Sequence, residues 1–492
     1  MKGPGQYMSS CKREFPRIAR IGTPIVAAFS AIVLLSACKT LSSDGGLEVI
    51  SSTTALNKEL VSIRTPEDAS AAKVKVDALL RRSLSADAAV QIALLNNRGL
   101  QAAYNELGIA EAVMVAASLP PVPTVSLERL SDPFEIEIER RIVANILALI
   151  TLPARASIAA DRFRQAQLKA AEETLRIGAE ARRSYYRAVA ARQLEGFLGR
   201  AQESAVAAAE LSKRLGETGA INKLDQAREQ TFLAEVTAQR ATARQRAASE
   251  RERLVRWMGL WGDELKFSLP GALPMLPRRP HALPAIEVEA IAKRVDLQVA
   301  RIEVETLGKS YGLSQASRFI NLLEVAGISK TVKERETGEK VRSKGYEIEL
   351  QVPIFDLGET RTRQAEQTYL QAINRLTEKA VNVRSEARDA YRTYRSTYDI
   401  AALYRGEVLP LRKIISDETL LRYNAMQIDV FALLLEARQG IAATSQAIEA
   451  QREFWLASVD LGVAVMGGGV SAGGGESAGA MAAASGGEGG GH

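Results

Sequence analysis

From Ser85 the chain follows a helical rhythm through Ile92, Leu95 and Ala103, with Ser85 placed as an N-cap, until Pro120, Pro121 and Pro123 stop it. The rhythm then changes. Phe134, Ile136 and Ile138 alternate with Glu135, Glu137 and Glu139, and later Tyr346, Ile348, Leu350 and Val352 alternate with Glu347, Glu349 and Gln351. Strict alternation predicts strands with one apolar and one acidic face. Their preceding partners are expected at 124–130 and 318–328, with residues 329–344 as a polar loop joining the second pair. No proline occurs from residue 154 to residue 269. That span is expected to hold two helices of about 55–60 residues each, roughly 80–90 Å long. In the returning helix Ala227, Thr231, Ala234, Ala238, Ala241 and Ala248 keep a 4-3 spacing, as Leu194, Leu198, Ala201, Ala205 and Ala208 do in the outgoing one. Such heptads predict coiled-coil seams, and alanine at a seam lets helices approach closely.

The pattern occurs twice. Leu100-Gln101 recurs as Leu297-Gln298, and Glu180-Ala181-Arg182 as Glu386-Ala387-Arg388, at offsets of 197 and 206 residues. One duplicated unit with a small insertion explains both. Between the copies, Pro270, Pro274, Pro277, Pro280 and Pro284 fall within 15 residues and predict an extended linker. The expected organisation is a first repeat at 83–265, a linker at 266–285, a second repeat at 286–466, and a Gly/Ala-rich tail at 467–492. That tail holds 12 of the 36 glycines and too little apolar surface to offset the entropy of ordering.

The N-terminus reads differently again. A basic stretch to Arg20 precedes the apolar run Ile25 to Leu35, too short for a permanent membrane span and flanked like an export signal. It closes on Leu35-Ser36-Ala37-Cys38, which resembles the lipoprotein box. Residues 1–37 are therefore expected to be removed, with lipid, palmitate included, on Cys38 and an anchored segment at 38–82. Lys39 after the cysteine is permissive for the outer membrane in that family. Cys11 would leave with the leader, so no internal disulfide can form. The overall charge of +6 concentrates there: five basic residues and Glu14 put +4 into the leader and leave the rest near neutral. Nucleic-acid binding loses its main support.

Four strands per chain impose a constraint. An open sheet in lipid leaves edge groups unsatisfied at several kcal/mol each, and the smallest membrane barrels have about eight strands. Strands that enter a bilayer here must be completed by other copies.

Three stretches bring the chain close to a known family. Val352-Pro353-Ile354-Phe355-Asp356-Leu357-Gly358 is similar to a strand-end turn of the TolC-like outer-membrane efflux proteins. Leu84-Ser85-Ala86-Asp87 with Asn96-Asn97-Arg98-Gly99-Leu100 resembles their opening helix. Gly219 to Asp225 and Arg422 to Phe431 resemble their hairpin tips. Over residues 83–466 the resemblance implies a mainly α chain with a small membrane β-barrel. Two repeats and four strands per chain would close a 12-stranded trimeric barrel on a long α-helical tunnel. It further implies a homotrimer acting as the passive exit duct of a tripartite pump, with a periplasmic adaptor (membrane fusion) protein and an inner-membrane, proton-driven transporter. The adaptor would grip Gly219, Ala220, Ile221 and Asn222 at one tip and Met426, Gln427 and Ile428 at the other. Met426 departs from the family's glycine, and Ala432 and Leu435 replace its gate aspartates. Asp429, Phe431 and Glu436 are the nearest gate candidates, and Phe431→Ala is expected to raise the conductance of the closed channel.

Other classes find little support. The two histidines are His281, in the linker, and His492, in the tail, so no catalytic triad, metal cluster or cofactor site assembles from the sequence. The chain is read as a non-enzyme without cofactors, in contact with outer-membrane lipid. The rivals are a protein-secretion channel and a non-pore scaffold lipoprotein; the acidic-apolar strands speak against the scaffold.

Overall fold

The computed structural model describes residues 41–468 apart from Ser43, Ala55 and Asn57, and not the side chain of Phe431. The leader, Cys38 and the tail beyond Gly468 lie outside the described residues. From Ser42 onward the chain forms one unit.

Two short helices, α1 (Leu47–Thr54) and α2 (Pro66–Leu80), precede the first repeat. The repeat opens with α3 (Ala86–Asn96), capped by the Ser85 hydroxyl, which accepts from the Ala88 amide at 3.1 Å. The expected single helix breaks at Asn97, whose extended backbone (φ −68°, ψ 117°) ends α3 while its side chain caps α4 (Arg98–Ser118). Both asparagines at the break are engaged. Asn96 Nδ2 donates to the Gly259 carbonyl at 2.8 Å and Asn97 Nδ2 to the Trp257 carbonyl at 3.0 Å. Next come β1 (Thr124–Ser131), β2 (Glu135–Asn145), α5 (Ile146–Ile150) and then α6 (Leu152–Glu217), of 66 residues. Pro153 lies in its first turn, where the missing N–H has no intrahelical partner anyway.

The returning helix α7 (Lys223–Met258) has only 36 residues, so the expected pair of equal helices is corrected. Absence of proline does not prolong a helix. Gly259, in the left-handed region at φ 67°, ends it, and its amide donates back to the Val255 and Arg256 carbonyls. The chain then descends as an extended segment. The linker is firmly seated: Leu269 and Leu273 are buried, Arg192 donates to the Leu269 carbonyl at 2.5 Å, and the Leu273 amide donates to Gln193 at 2.9 Å.

The second repeat copies the first through α8 (Ile286–Lys293), α9 (Val295–Ala316), β3 (Leu322–Glu334) and β4 (Lys340–Gln351). The break between α8 and α9 at Arg294 (φ −63°, ψ 118°) matches that at Asn97. The longer β3–β4 hairpin accounts for the growth in repeat offset. The polar stretch expected as a loop is mostly strand, because β3 runs to Glu334 and β4 begins at Lys340, leaving a five-residue connection. Side chains that alternate toward water on both faces still permit a hydrogen-bonded ladder, so polarity alone did not end the strands. The helix α10 (Glu359–Leu403) then continues through a π-helical turn, Tyr404–Val408, into α11 (Leu409–Asn424). The turn ends two residues before Pro410, which cannot donate to the carbonyl four residues back; widening the helix there accommodates the ring. Together α10, the turn and α11 span 66 residues, the length of α6, and α12 (Val430–Met466) has 37 against 36 in α7.

The four strands form one antiparallel sheet in the order β1-β2-β3-β4. The main core lies where the helices converge. Leu95, Val189, Leu254 and Met258 pack in one cluster, Leu100, Tyr104 and Ala171 in a second, and Tyr394, Phe454 and Val383 in a third. Gly467 and Gly468, expected as the start of the unordered tail, are buried, with the Gly468 backbone against Leu175.

The outgoing heptad buries Leu198 and Ala205, whereas within one chain the returning stripe faces outward. Ala227, Thr231, Ala234, Ala238, Ala241 and Ala248 are exposed, whereas Glu229, Phe232, Val236 and Ala243 are buried. Both sets share the 3-4 rhythm. Phe232 and Val236 remove more apolar area from water than an alanine stripe can, and so decide which face turns inward.

Candidate functional site

Two surfaces can carry function: the hairpin tips and the sheet. At the first tip, Thr218 ends α6 and Gly219 takes φ 72°. The Ala220 amide donates to the Leu215 carbonyl at 2.9 Å, and the Asn222 side chain caps α7 by accepting from the Asp225 amide at 2.9 Å. The second tip repeats this atom for atom. Ala425 ends α11, Met426 takes φ 58°, the Gln427 amide donates to the Arg422 carbonyl at 2.9 Å, and Asp429 caps α12 by accepting from the Ala432 amide at 3.0 Å. Each is a helix ending closed by a left-handed residue and followed at once by a side-chain cap. Met426 fills the place of Gly219 despite its Cβ. Its side chain is 93% exposed, so only the local strain of a left-handed residue opposes it. Ile221 and Ile428 are half-buried, while Ala220, Asn222 and Gln427 are exposed.

The gate candidates occupy three different situations. The Asp429 carboxylate is committed to the cap. Glu436 is buried and meets Arg412 at 3.2 Å, with Arg412 also donating to Gln439 at 2.6 Å. The Phe431 side chain lies outside the described residues. Above the tips, the two hairpins touch through Phe232, Leu434 and Ile441, and an open groove of about 560 Å³ runs between them past Phe197, Ala201 and Arg412.

On the sheet, directly paired residues share a face, so the register sorts the side chains. Ile348 pairs with Val325 and that with Ala144; Tyr346 pairs with Gly327, then Ile142, then Val125. This is the apolar face. The opposite face carries Glu349 beside Glu324, and Glu347 beside Ala326 and Val143. There Arg141 meets Glu347 at 2.9 Å, and Lys330 is ion-paired with Glu137. Among the described residues no helix is long and apolar enough to cross a membrane, and no group of histidine, cysteine and carboxylate side chains is arranged to hold a metal ion.

Residues 288–415 match a family model described as outer membrane efflux protein. Solved structures resemble the whole arrangement. The Campylobacter jejuni CmeC outer membrane channel matches with a TM-score of 0.67 at 15% identity, over 78% of this chain and 86% of that one. The outer-membrane channel OprN matches at 0.66 and 17% identity, over 85% and 95%. The open state of the Neisseria gonorrhoeae MtrE outer membrane channel matches at 0.63 and 15% identity, over 77% and 88%. The chain has the fold of the TolC-like outer-membrane efflux proteins, and its second repeat carries their family pattern. No curated protein sequence matches it.

Within this efflux-protein fold, one cluster escaped the sequence reading. Glu229 lies at the junction of the two hairpins, 3% exposed, with its Oε2 atom unpartnered. Burial raises its carboxyl above the usual range, opposed by the charge of Arg438, which stacks over Phe232 at 5.4 Å and pairs with Glu235 at 3.2 Å. Nothing in the local pattern marks Glu229, since acidic residues are frequent on the exposed faces of the long helices. A raised folded-state value means that the unfolded chain ionises first. The associated stability is complete below the unfolded glutamate value and is lost as pH rises through the folded one. Glu229→Gln is therefore expected to raise the melting temperature at pH 7 by roughly 1–3 °C. The gain should vanish below about pH 4, where the unfolded glutamate is itself protonated. Melting curves of both proteins at the two pH values check this.

Proposed function

We propose that three copies of this chain close their sheets into a 12-stranded outer-membrane barrel, continuous with a tunnel built from the long helices. The assembly would serve as the passive exit duct of a tripartite efflux system, conducting substrates from the periplasm to the exterior. One observation carries this reading. The sheet has an apolar face, a charged face and two edges, β1 and β4, with no partner among the described residues of the chain. Unpaired strand edges are intolerable in lipid, and closure by identical neighbours removes them. Twelve strands exceed the minimum for a membrane barrel of about eight.

In the same proposal Cys38 carries the lipid anchor, and the two repeats and the linker divide at 83–265, 266–285 and 286–466. The paired tips, Gly219 to Asn222 and Met426 to Ile428, meet a periplasmic adaptor, which connects the duct to an inner-membrane transporter. Their matching backbone geometry supports a partner that reads both tips in the same way. The gate is formed near Asp429, Phe431 and Glu436. Because the Asp429 carboxylate caps its helix and Glu436 faces Arg412, Phe431 carries the constriction.

Electron microscopy of the detergent-solubilised protein tests the assembly. Threefold particles longer than about 100 Å are expected, since α6 alone spans about 99 Å at 1.5 Å per residue. Monomeric or asymmetric particles in several detergents would overturn the barrel in favour of a scaffold.

A further inference from the structure

The apolar face of the sheet is not apolar along its whole length. Near the helices its rows hold Leu350 with Leu323, Ile348 with Val325 and Ala144, and Tyr346 with Ile142 and Val125. Toward the hairpin turns the next three rows change character. They bring together Lys344 and Arg140, then Arg342 and Arg129, then Lys340 and Lys333, with Leu127, Ile138 and Ile136 between them. No carboxylate shares that face in these rows. All six cations are exposed, and among the described residues none has an ion-pair partner. The opposite face of the same rows carries Glu128, Glu139, Glu137 and Glu135, and there the cations Arg141 and Lys330 are both paired with carboxylates.

We infer that these six side chains form a binding band for the phosphate groups of a phosphorylated glycolipid in the outer leaflet. The inference rests on the barrel reading above, which turns this face toward lipid. Rows on one face are about 6.7 Å apart, so the band is about 13 Å long measured along the strands and begins where the wholly apolar rows end. In the barrel reading this outer stretch reaches the level at which acyl chains give way to headgroups. Interleaved Leu127, Ile138 and Ile136 keep contact with acyl chains, while the long cationic side chains extend upward to phosphate. A lipid-facing cation without an anionic partner is costly at the bilayer midplane and much less so near the interface. The complementary charge must come from the surroundings, and a phosphorylated headgroup supplies it.

The test uses the full-length protein in detergent, titrated with fluorescent lipopolysaccharide and with its dephosphorylated form, beside a variant carrying Lys333→Gln, Lys340→Gln, Arg342→Gln and Lys344→Gln. Particle symmetry is recorded for both proteins. Binding of the phosphorylated lipid is expected, weakened by at least about tenfold in the variant and by removal of the phosphates, and reduced by added salt. Threefold particles in which wild type and variant bind equally would overturn the lipid band alone. If the variant does not assemble, equal binding of the two lipid forms by the wild type overturns it. Absence of threefold particles from the wild type overturns the barrel and the band together.

Discussion

Replacing Gly358 with alanine is expected to cost at least about 3 kcal/mol and to prevent assembly of the proposed trimer. Gly358 follows the turn that carries β4 into α10, at φ 73°. A Cβ there would lie 2.1 Å from the Arg318 carbonyl oxygen and 2.9 Å from its carbon, both backbone atoms that cannot swing aside. The turn has no slack to absorb the shift. The Asp356 carboxylate accepts from the Gly358 amide at 3.0 Å, which holds that carboxyl below its usual range, and Arg318 Nε donates to the Leu357 carbonyl at 3.1 Å. Leu357, itself at φ 50°, already carries the strain of a left-handed residue. The control is Gly312→Ala, in the helix α9, where nothing lies within 4 Å of the new methyl and helix propensity favours alanine by about 1 kcal/mol. Thermal unfolding and size-exclusion profiles of both variants read the difference. A Gly358→Ala protein as stable as the Gly312→Ala one would show that the strand–helix joint is free to move.

Truncating Phe454 to alanine is expected to cost about 3–5 kcal/mol, the range for large aromatic side chains removed from a core. Phe454 is 1% exposed and lies 5.1–5.6 Å from the rings of Tyr394, Tyr398 and Trp455. Those neighbours also hold the linker down. The His281 amide donates to the Tyr394 hydroxyl at 3.2 Å, the Tyr398 hydroxyl donates to the Pro277 carbonyl at 3.1 Å, and Trp455 Nε1 donates to the Pro274 carbonyl at 3.1 Å. Loss of the ring should therefore loosen the segment around residues 274–281 as well as the helices. Hydrogen exchange in that segment, measured with the unfolding midpoint, distinguishes the expected coupled loosening from a cavity that simply collapses. A midpoint within a degree of wild type, with unchanged exchange, would place the core elsewhere.

How much of this could be read in advance depends on how local the cause is. The strands were legible because Ile and Glu alternate at the two-residue period that a sheet imposes, and the duplication because Leu100 and Leu297 occupy the same third position of matching helices. The tips were legible as turns because Gly219 to Asp225 and Arg422 to Phe431 resemble the family's, whereas the capping role of Asp429 emerged only with the structure. The short returning helix is ended by Gly259 after 36 residues, where the absence of proline had pointed to about 55–60. The break at Asn97 was harder. Its cause is a pair of hydrogen bonds to carbonyls some 160 residues away, which no window of sequence contains. Glu229 belongs to the same class. Its burial follows from which face Phe232 and Val236 turn inward, and the alanine stripe beside them offered an equally regular alternative.

The two hairpins match in length although little of their sequence is shared, and the second keeps that match across a π turn and an internal proline. A ring of pillars can rest on a partner only if all of them reach the same floor. Adding one heptad to a single hairpin would lower its tip by about 10.5 Å and leave its twin hanging clear. Length in this protein is therefore not free to drift one helix at a time. In the proposed assembly it can change only in whole steps taken by all four helices together, so that the two tips stay level with one another.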